Sequence, residues 1–128
     1  MHEVMTAIRS VERAITSAPH SPGWRKLVGN RLTGLRGAYI LYLEHSMGSS
    51  AATVDDSPWL SARMLRLRRD QAKIADEIDR LIDTCRQHGD AEALRYQVVD
   101  LLGRVVRSRQ REIGLIYESV DVDLGGEQ

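Results

Sequence analysis

Four segments of the chain repeat apolar residues at intervals of three and four, which places them along one face of an α-helix. In the first segment the repeat runs through Val4, Ile8, Val11 and Ile15. The third segment keeps the repeat for more than three heptads, from Leu60 to Cys85. The pattern predicts helices over about 3–17, 22–46, 58–88 and 91–119, with a tail over 120–128.

Local signals predict where these helices begin and end. Pro22 and Pro58 each follow a serine, a combination typical of a helix start, because proline at the first helical position loses no hydrogen bond. Gly89 is expected to close the third helix and Asp90 to cap the fourth. The segment 47–56 is rich in Gly, Ser, Ala and Asp and is expected to form the longest loop.

The same pattern predicts the fold class. We find no alternation of apolar and polar residues that would indicate strands, and no internal repeat. Helices joined by short connections favour an all-α, antiparallel up-and-down four-helix bundle, with residues 1–128 as a single domain. Gly29, Gly34 and Gly37 interrupt the apolar face of the second helix, so the pattern does not fix which side of this helix faces inward.

Polar residues occupy interior positions of two apolar stripes. Gln71 interrupts the stripe of the third helix, and Ser108 and Glu112 interrupt that of the fourth. Gln71 and Ser108 are about equally far from the turn near residues 88–91, so they should lie at one level in an antiparallel pair. Glu44 and His45, near the end of the second helix, could join the same polar layer.

A buried polar layer has two common uses in helical bundles. Inward-facing carboxylates and histidines can build a metal site, whereas a hydrogen-bonded network can fix the register of the helices. Transition metals prefer histidine with carboxylates, and this layer offers mostly amide and hydroxyl oxygens, which favours the network. The hydroxyls of four tyrosines could also serve it: Tyr39, Tyr42, Tyr96 and Tyr117.

Two segments resemble the hemerythrin-like (HHE cation-binding) family. Residues 66–74, Arg-Leu-Arg-Arg-Asp-Gln-Ala-Lys-Ile, are similar to its third-helix motif of a leucine, an acid–histidine pair and an isoleucine. Residues 106–112, Val-Arg-Ser-Arg-Gln-Arg-Glu, resemble its fourth-helix motif, a histidine followed one turn later by an acid. Residues 115–126 also resemble the ending of short hemerythrin-related bacterial proteins.

The chain departs from that family at the metal-binding histidines. Gln71, Ser108 and Ile40 stand at positions where the family places histidine, while the acids Glu44 and Glu112 are kept. The resemblance therefore implies a member that has the bundle but no di-iron centre. We expect no cofactor and no iron or oxygen chemistry.

Charge balance, cysteine content and the length of apolar stretches limit the possible partners and location of the protein. Lysine plus arginine equals aspartate plus glutamate at 18 each, so no net charge draws the chain toward nucleic acid or an anionic membrane. Arginines do cluster at 63–69 and 104–111, where interleaved acids favour a solvated face over nucleic-acid binding. The single Cys85 excludes an internal disulfide, and no apolar stretch reaches the length of a membrane span, so we expect a cytoplasmic protein.

No known catalytic motif is present. HxxxH, HExxH, GxSxG and phosphate-binding glycine patterns are all absent from the sequence. We therefore expect a non-catalytic interaction or regulatory protein, whose partner is an unidentified protein or a second copy of the chain. The alternative is a residual metal or small-ligand binder that uses the polar layer: Glu44, His45, Gln71, Ser108 and Glu112.

Overall fold

The computed structural model describes the backbone of residues 1–18, 21–56 and 58–126, and the side chains of residues 1–18, 21–46 and 59–119. Its elements are α1 (His2–Thr16), α2 (Trp24–Asp56), α3 (Pro58–Cys85) and α4 (Ala91–Gly126). The described residues contain no strand, so the prediction of an all-α protein is confirmed. Each helix packs against the next one along the chain, and α4 also contacts α1 and α2.

The buried apolar residues whose side chains the structure describes form two clusters. The large core takes five residues from each helix: Val4, Ile8, Val11, Ala14 and Ile15; Trp24, Val28, Leu32, Leu35 and Tyr39; Ile74, Ile78, Leu81, Ile82 and Cys85; Leu94, Val98, Leu101, Leu102 and Val105. Among the residues whose side chains the structure describes, the small core consists of Leu60, Met64, Leu67 and Leu115, from α3 and α4. The heptad stripes found in the sequence supply most of both clusters.

The start of α2 lies two residues later than Pro22 predicts. Gly23 adopts a positive φ of 83°, a conformation that side chains with a Cβ rarely adopt, and α2 begins only at Trp24. The Gly23 carbonyl accepts the first helical hydrogen bond, from the Leu27 N–H at 2.9 Å. The buried Trp24 indole N–H donates to the Ala14 carbonyl at 3.1 Å and so ties the start of α2 to the end of α1.

Two helices are longer than predicted. The segment 47–56, expected to be a loop, continues α2 to Asp56, and α4 continues past residue 119 to Gly126. Neither extension contains proline, and adding residues to an existing helix costs far less than starting a new one. Helix α3 begins at Pro58 as predicted, while the capping role expected of Ser57 lies outside the described residues.

The turn between α3 and α4 differs from the prediction on one side only. Helix α3 ends at Cys85, where the N–H groups of Arg86 and Gln87 donate to carbonyls three residues back. Gly89 has no positive φ and does not cap this end, so that prediction was wrong. Asp90 does cap α4, because its Oδ1 accepts a hydrogen bond from the Glu92 N–H at 3.0 Å.

Candidate functional site

The polar residues of the two stripes lie inside the protein, between the large and the small core. Gln71, Ser108 and Glu112 are all buried. On α3, Gln71 lies between Leu67 of the small core and Ile74 of the large core. A layer of polar side chains therefore separates two apolar regions, and its chemistry depends on how these side chains are paired.

Glu112 is the centre of this layer. The Tyr42 hydroxyl donates to Glu112 Oε2 at 2.6 Å, and the Gln71 amide donates to the same oxygen at 2.8 Å. The Ser46 hydroxyl donates to the other carboxylate oxygen, Oε1. Because three donors from α2 and α3 converge on one carboxylate of α4, the hydrogen bonds join three helices.

Arg68 completes the arrangement from the edge of the layer. Its guanidinium donates to Gln71 Oε1 at 2.7 Å and lies 3.6 Å from Glu112 Oε1. It also donates to the backbone carbonyl of Ser46 at 3.2 Å. A buried carboxylate is costly unless it is paired and hydrogen-bonded, and here it is both. We call these five residues the polar cluster: Tyr42, Ser46, Arg68, Gln71 and Glu112.

Two buried hydroxyls beside the polar cluster lack good partners. The hydroxyls of Tyr39 and Ser108 make no hydrogen bond to any described residue. Burial raises the pKa of Tyr39, and Ser108 is close enough to oppose that rise, although the two groups do not reach hydrogen-bond geometry. An unmade hydrogen bond costs about 1–3 kcal/mol, so this is the weakest part of the layer.

Tyr42 is held as a proton donor. Burial raises the pKa of its hydroxyl, and the hydrogen bond to the Glu112 carboxylate raises it further. The phenol therefore stays protonated at neutral pH and donates to the carboxylate. A tyrosine in this state stabilises the negative charge on Glu112 and does not act as a base.

Glu44 and His45 do not join the layer, contrary to expectation. Both side chains are exposed. The inward face of α2 runs through Leu35, Tyr39, Tyr42 and Ser46 at spacings of four, three and four, which turns the two residues before Ser46 away from it. The hydroxyls of Tyr96 and Tyr117 are also remote, since both side chains lie exposed on α4.

Two members of the polar cluster were missed in the sequence. Ser46 continues the spacing of Tyr39 and Tyr42, so the tyrosines gave a signal for it. Arg68 was assigned to a solvated basic face, yet its side chain is only 15% exposed. It lies three residues before Gln71, and a long side chain can run along the helix to place its charge beside a buried acid.

The donor set does not fit a di-iron centre or another transition-metal site. Within the described residues, no three His, Cys, Asp or Glu side chains come together in a way that could hold a metal ion. Glu112 is the one carboxylate of the polar cluster, and the nearby Arg68 guanidinium repels a cation. The arrangement instead holds a negative charge between hydrogen-bond donors.

Comparisons with known proteins found no relative. No protein-family model matches the chain, and neither a curated protein nor a solved structure does. In the part of the chain that the structure describes, no helix is long and apolar enough to cross a membrane. The resemblance to hemerythrin-like proteins thus rests on the sequence motifs alone.

Proposed function

We propose that this chain is a non-catalytic interaction or regulatory module, built on a hemerythrin-like, antiparallel up-and-down four-helix bundle without a di-iron centre. The observation that carries the proposal is the state of Glu112, whose two carboxylate oxygens already accept three hydrogen bonds from the protein. A metal ion would have to displace these donors and lie close to Arg68.

Contacts between helices support the antiparallel arrangement. Along α2 and α3, Arg25 donates to the Thr84 carbonyl, Arg36 pairs with Asp79, and Arg68 reaches Ser46. Residue numbers therefore rise along α2 as those of their partners in α3 fall.

Helices α3 and α4 follow the same rule. Arg80 donates to Gln97 at 3.0 Å near the connecting turn, and Arg63 pairs with Glu118 at 2.7 Å near the other end. Between them, Gln71 bonds to Glu112. The two adjacent pairs are those expected of an up-and-down bundle.

The substitutions at the family's ligand positions are chemically consistent with a structural layer. The Gln71 amide donates to Glu112 and also accepts from Arg68. A neutral metal-bound histidine could donate through its second ring nitrogen but would have no acceptor left for Arg68. Ser108 offers only a hydroxyl. The layer therefore serves to connect helices.

A cytoplasmic location, expected from the single cysteine, is also part of this proposal.

The other candidate functions have less support. A residual metal or small-ligand site was expected to combine five residues, of which Glu44 and His45 are exposed. For nucleic acid, Arg63 pairs with Glu118, and Arg111 pairs with Asp70 at 2.9 Å, so acids neutralise part of each arginine cluster. A protein partner, including a second copy of the chain, is the binding class that we favour.

Metal-dependent melting tests the proposal. The melting temperature is measured with and without Fe²⁺, Zn²⁺ and Mn²⁺ under anaerobic conditions, for the wild type and for Glu112→Ala. We expect no saturable rise in the wild type, because specific binding to the native state alone would raise the melting temperature with metal concentration. A saturable rise that Glu112→Ala abolishes, and that the surface control Glu118→Ala keeps, would show a working metal site.

A further inference from the structure

Helix α4 carries a second apolar stripe on its outer face. Four large side chains there are strongly exposed: Tyr96 by 77%, Val99 by 51%, Ile113 by 39% and Tyr117 by 68%. They belong to a heptad series with unbroken spacings of four and three. We call this series the α4 seam: Glu92, Tyr96, Val99, Gly103, Val106, Gln110, Ile113 and Tyr117.

Most of the α4 seam lies apart from the stripe that builds the interior, while Val106 is half-buried and also packs against the large core. The interior stripe runs through Leu94, Val98, Leu101 and Val105, all of which belong to the large core. Residues of the seam are offset from these by one or two positions, which turns most of them toward the far side of the helix. A helix with apolar heptads on a second face is suited to pair with another helix.

We propose that the α4 seam binds the α4 seam of a second copy of this chain, with the two helices antiparallel. This proposal rests on the function proposed above, since it names the partner of the interaction module. A two-fold axis between Gly103 and Val106 places each of these residues opposite the other in the second copy. It also brings Tyr96 opposite Ile113.

In the same register, each polar residue of the seam lies opposite a suitable residue of the second copy. Val99 lies opposite the aliphatic part of Gln110, and the Tyr117 hydroxyl lies opposite the carboxylate of Glu92, to which it can donate. Since the interface of a symmetric dimer uses the same patch twice, a self-complementary stripe is what such a dimer requires. A single polar residue such as Gln110 within the seam also favours one register over others.

Charge complementarity beside the seam supports a second copy as the occupant, in the antiparallel direction. Asp100 and Arg107 flank the seam one residue after Val99 and Val106, and both are exposed. Neither forms an ion pair with any residue that the structure describes. Antiparallel pairing brings Asp100 of each copy next to Arg107 of the other, so the dimer contains this contact twice.

The size of the seam is compatible with a stable dimer. From Glu92 to Tyr117 it spans about 38 Å of helix at 1.5 Å per residue. A tyrosine can bury on the order of 150 Å² or more, and a dimer would bury four of them with the adjoining valines and isoleucines. Specific interfaces bury about 1,200–2,000 Å² in total, a range that this surface can approach.

Gly103 has no side chain, so the surface of the seam is closest to the helix backbone at its middle. The guanidinium of Arg107 now lies over it, with Nη1 3.0 Å from where a Cβ of residue 103 would be. This long, unpaired side chain can swing aside toward Asp100 of the second copy. The helices could then approach closely at Gly103, as small residues allow.

Sedimentation velocity of the full chain tests the proposal. We expect a reversible dimer of twice 14.4 kDa at the higher protein concentrations. Tyr96→Glu and Val99→Glu, at exposed positions, should each weaken dimerisation by about tenfold or more, because they place charges inside the interface. Leu65→Glu is the matched control, since Leu65 is 53% exposed on α3 and lies outside the seam.

Charge reversal tests the direction of pairing. Asp100→Arg and Arg107→Asp should each weaken the dimer, and the double variant should restore it, because the two reversed charges meet again in the antiparallel register. Circular dichroism checks that each variant keeps the helix content of the wild type. A folded wild-type chain that stays monomeric at all concentrations, or a dimer that none of the seam variants weakens, would overturn the proposal.

Failure here is distinguishable from failure of the proposed function. A monomeric chain whose melting does not respond to metals would remove the dimer and leave the metal-free bundle intact. A dimer that weakens with seam substitutions and also binds iron at Glu112 would keep the seam and overturn the proposed function.

Discussion

The large core and the polar cluster hold the helices together with different kinds of side chain. At one end, α1 lies with the other three helices around the large core, which consists of aliphatic and aromatic side chains with Cys85. Beyond the polar cluster, the described part of the small core consists of four residues from α3 and α4. The polar cluster lies between the two cores, where hydrogen bonds to Glu112 connect α2, α3 and α4.

We infer that the large core mainly supplies stability and that the polar cluster mainly fixes how the helices are aligned. Burial of apolar side chains from four helices supplies most of the folding free energy, since the hydrophobic contribution grows with the area removed from water. The polar cluster adds less net stability, because desolvation offsets much of what its hydrogen bonds and ion pair contribute. Its donors and acceptors must meet in one geometry, so we infer that it sets the register of α2 against α3 and α4.

Truncation of one leucine in each core should separate the two regions most clearly. Leu101 and Leu115 both belong to α4, but Leu101 is fully buried in the large core and Leu115 is 8% exposed in the small core. We expect Leu101→Ala to lower the free energy of unfolding by about 4 kcal/mol and Leu115→Ala by about 2 kcal/mol. Urea unfolding followed by circular dichroism measures both, and equal losses would contradict the distinction between the cores.

Removal of the central carboxylate should have the next largest effect. Glu112→Ala removes the acceptor of the Tyr42, Ser46 and Gln71 hydrogen bonds and the ion-pair partner of Arg68, at a cost of about 3 kcal/mol. Glu112→Gln keeps the shape but sets an amide donor against other donors, for which we expect about 2 kcal/mol.

The matched surface control for these two variants is Glu118→Ala. Glu118 pairs with Arg63, but both side chains are more than 40% exposed. Exposed ion pairs contribute little, so its loss should be below about 1 kcal/mol. If the changes at residues 112 and 118 cost the same, the polar cluster is not a structural centre.

Alkaline pH should weaken the protein through its buried tyrosines. Burial raises the pKa of both Tyr39 and Tyr42, so the folded state keeps protons that the unfolded state loses above about pH 10. Their contribution is complete below that pH and declines as pH rises toward the folded pKa, by up to about 1.4 kcal/mol per pH unit for each group.

The slope of unfolding free energy against pH, from pH 8 to 11, tests this effect in Tyr42→Phe. The comparison uses a Cys85→Ala background, because burial also raises the pKa of that thiol. Tyr42→Phe should lower stability at pH 8 by about 1 kcal/mol and make the alkaline decline shallower. A slope as steep as that of the background would mean that Tyr42 does not titrate differently in the folded state.

The heptad pattern predicted what lies inside, but only partly how the polar groups pair. Gln71, Ser108 and Glu112 are buried because each continues an apolar stripe, and this could be read from spacing. The inward side of α2 could not be read as securely, because its glycines blur the phase, and Glu44 and His45 were placed wrongly. Arg68 was missed because its role depends on side-chain reach, which spacing does not show.

The ends of the helices were predictable only where a side chain marks them. Asp90 caps α4 through its own carboxylate, and such caps leave a sequence signal. The continuation of α2 through 47–56 has no such marker, since the composition of that segment favours loops in isolation. There the preceding helix decides the outcome, because propagation is easier than nucleation.

The metal content of the purified protein tests the central claim most directly. The chain is purified without chelators and analysed by elemental analysis and absorption spectroscopy, before and after anaerobic incubation with Fe²⁺ and removal of the excess. We predict less than stoichiometric metal and no oxygen-sensitive absorption band, because protein donors already occupy the Glu112 carboxylate. Stoichiometric iron with such a band would contradict the account and show a functional metal centre in this bundle.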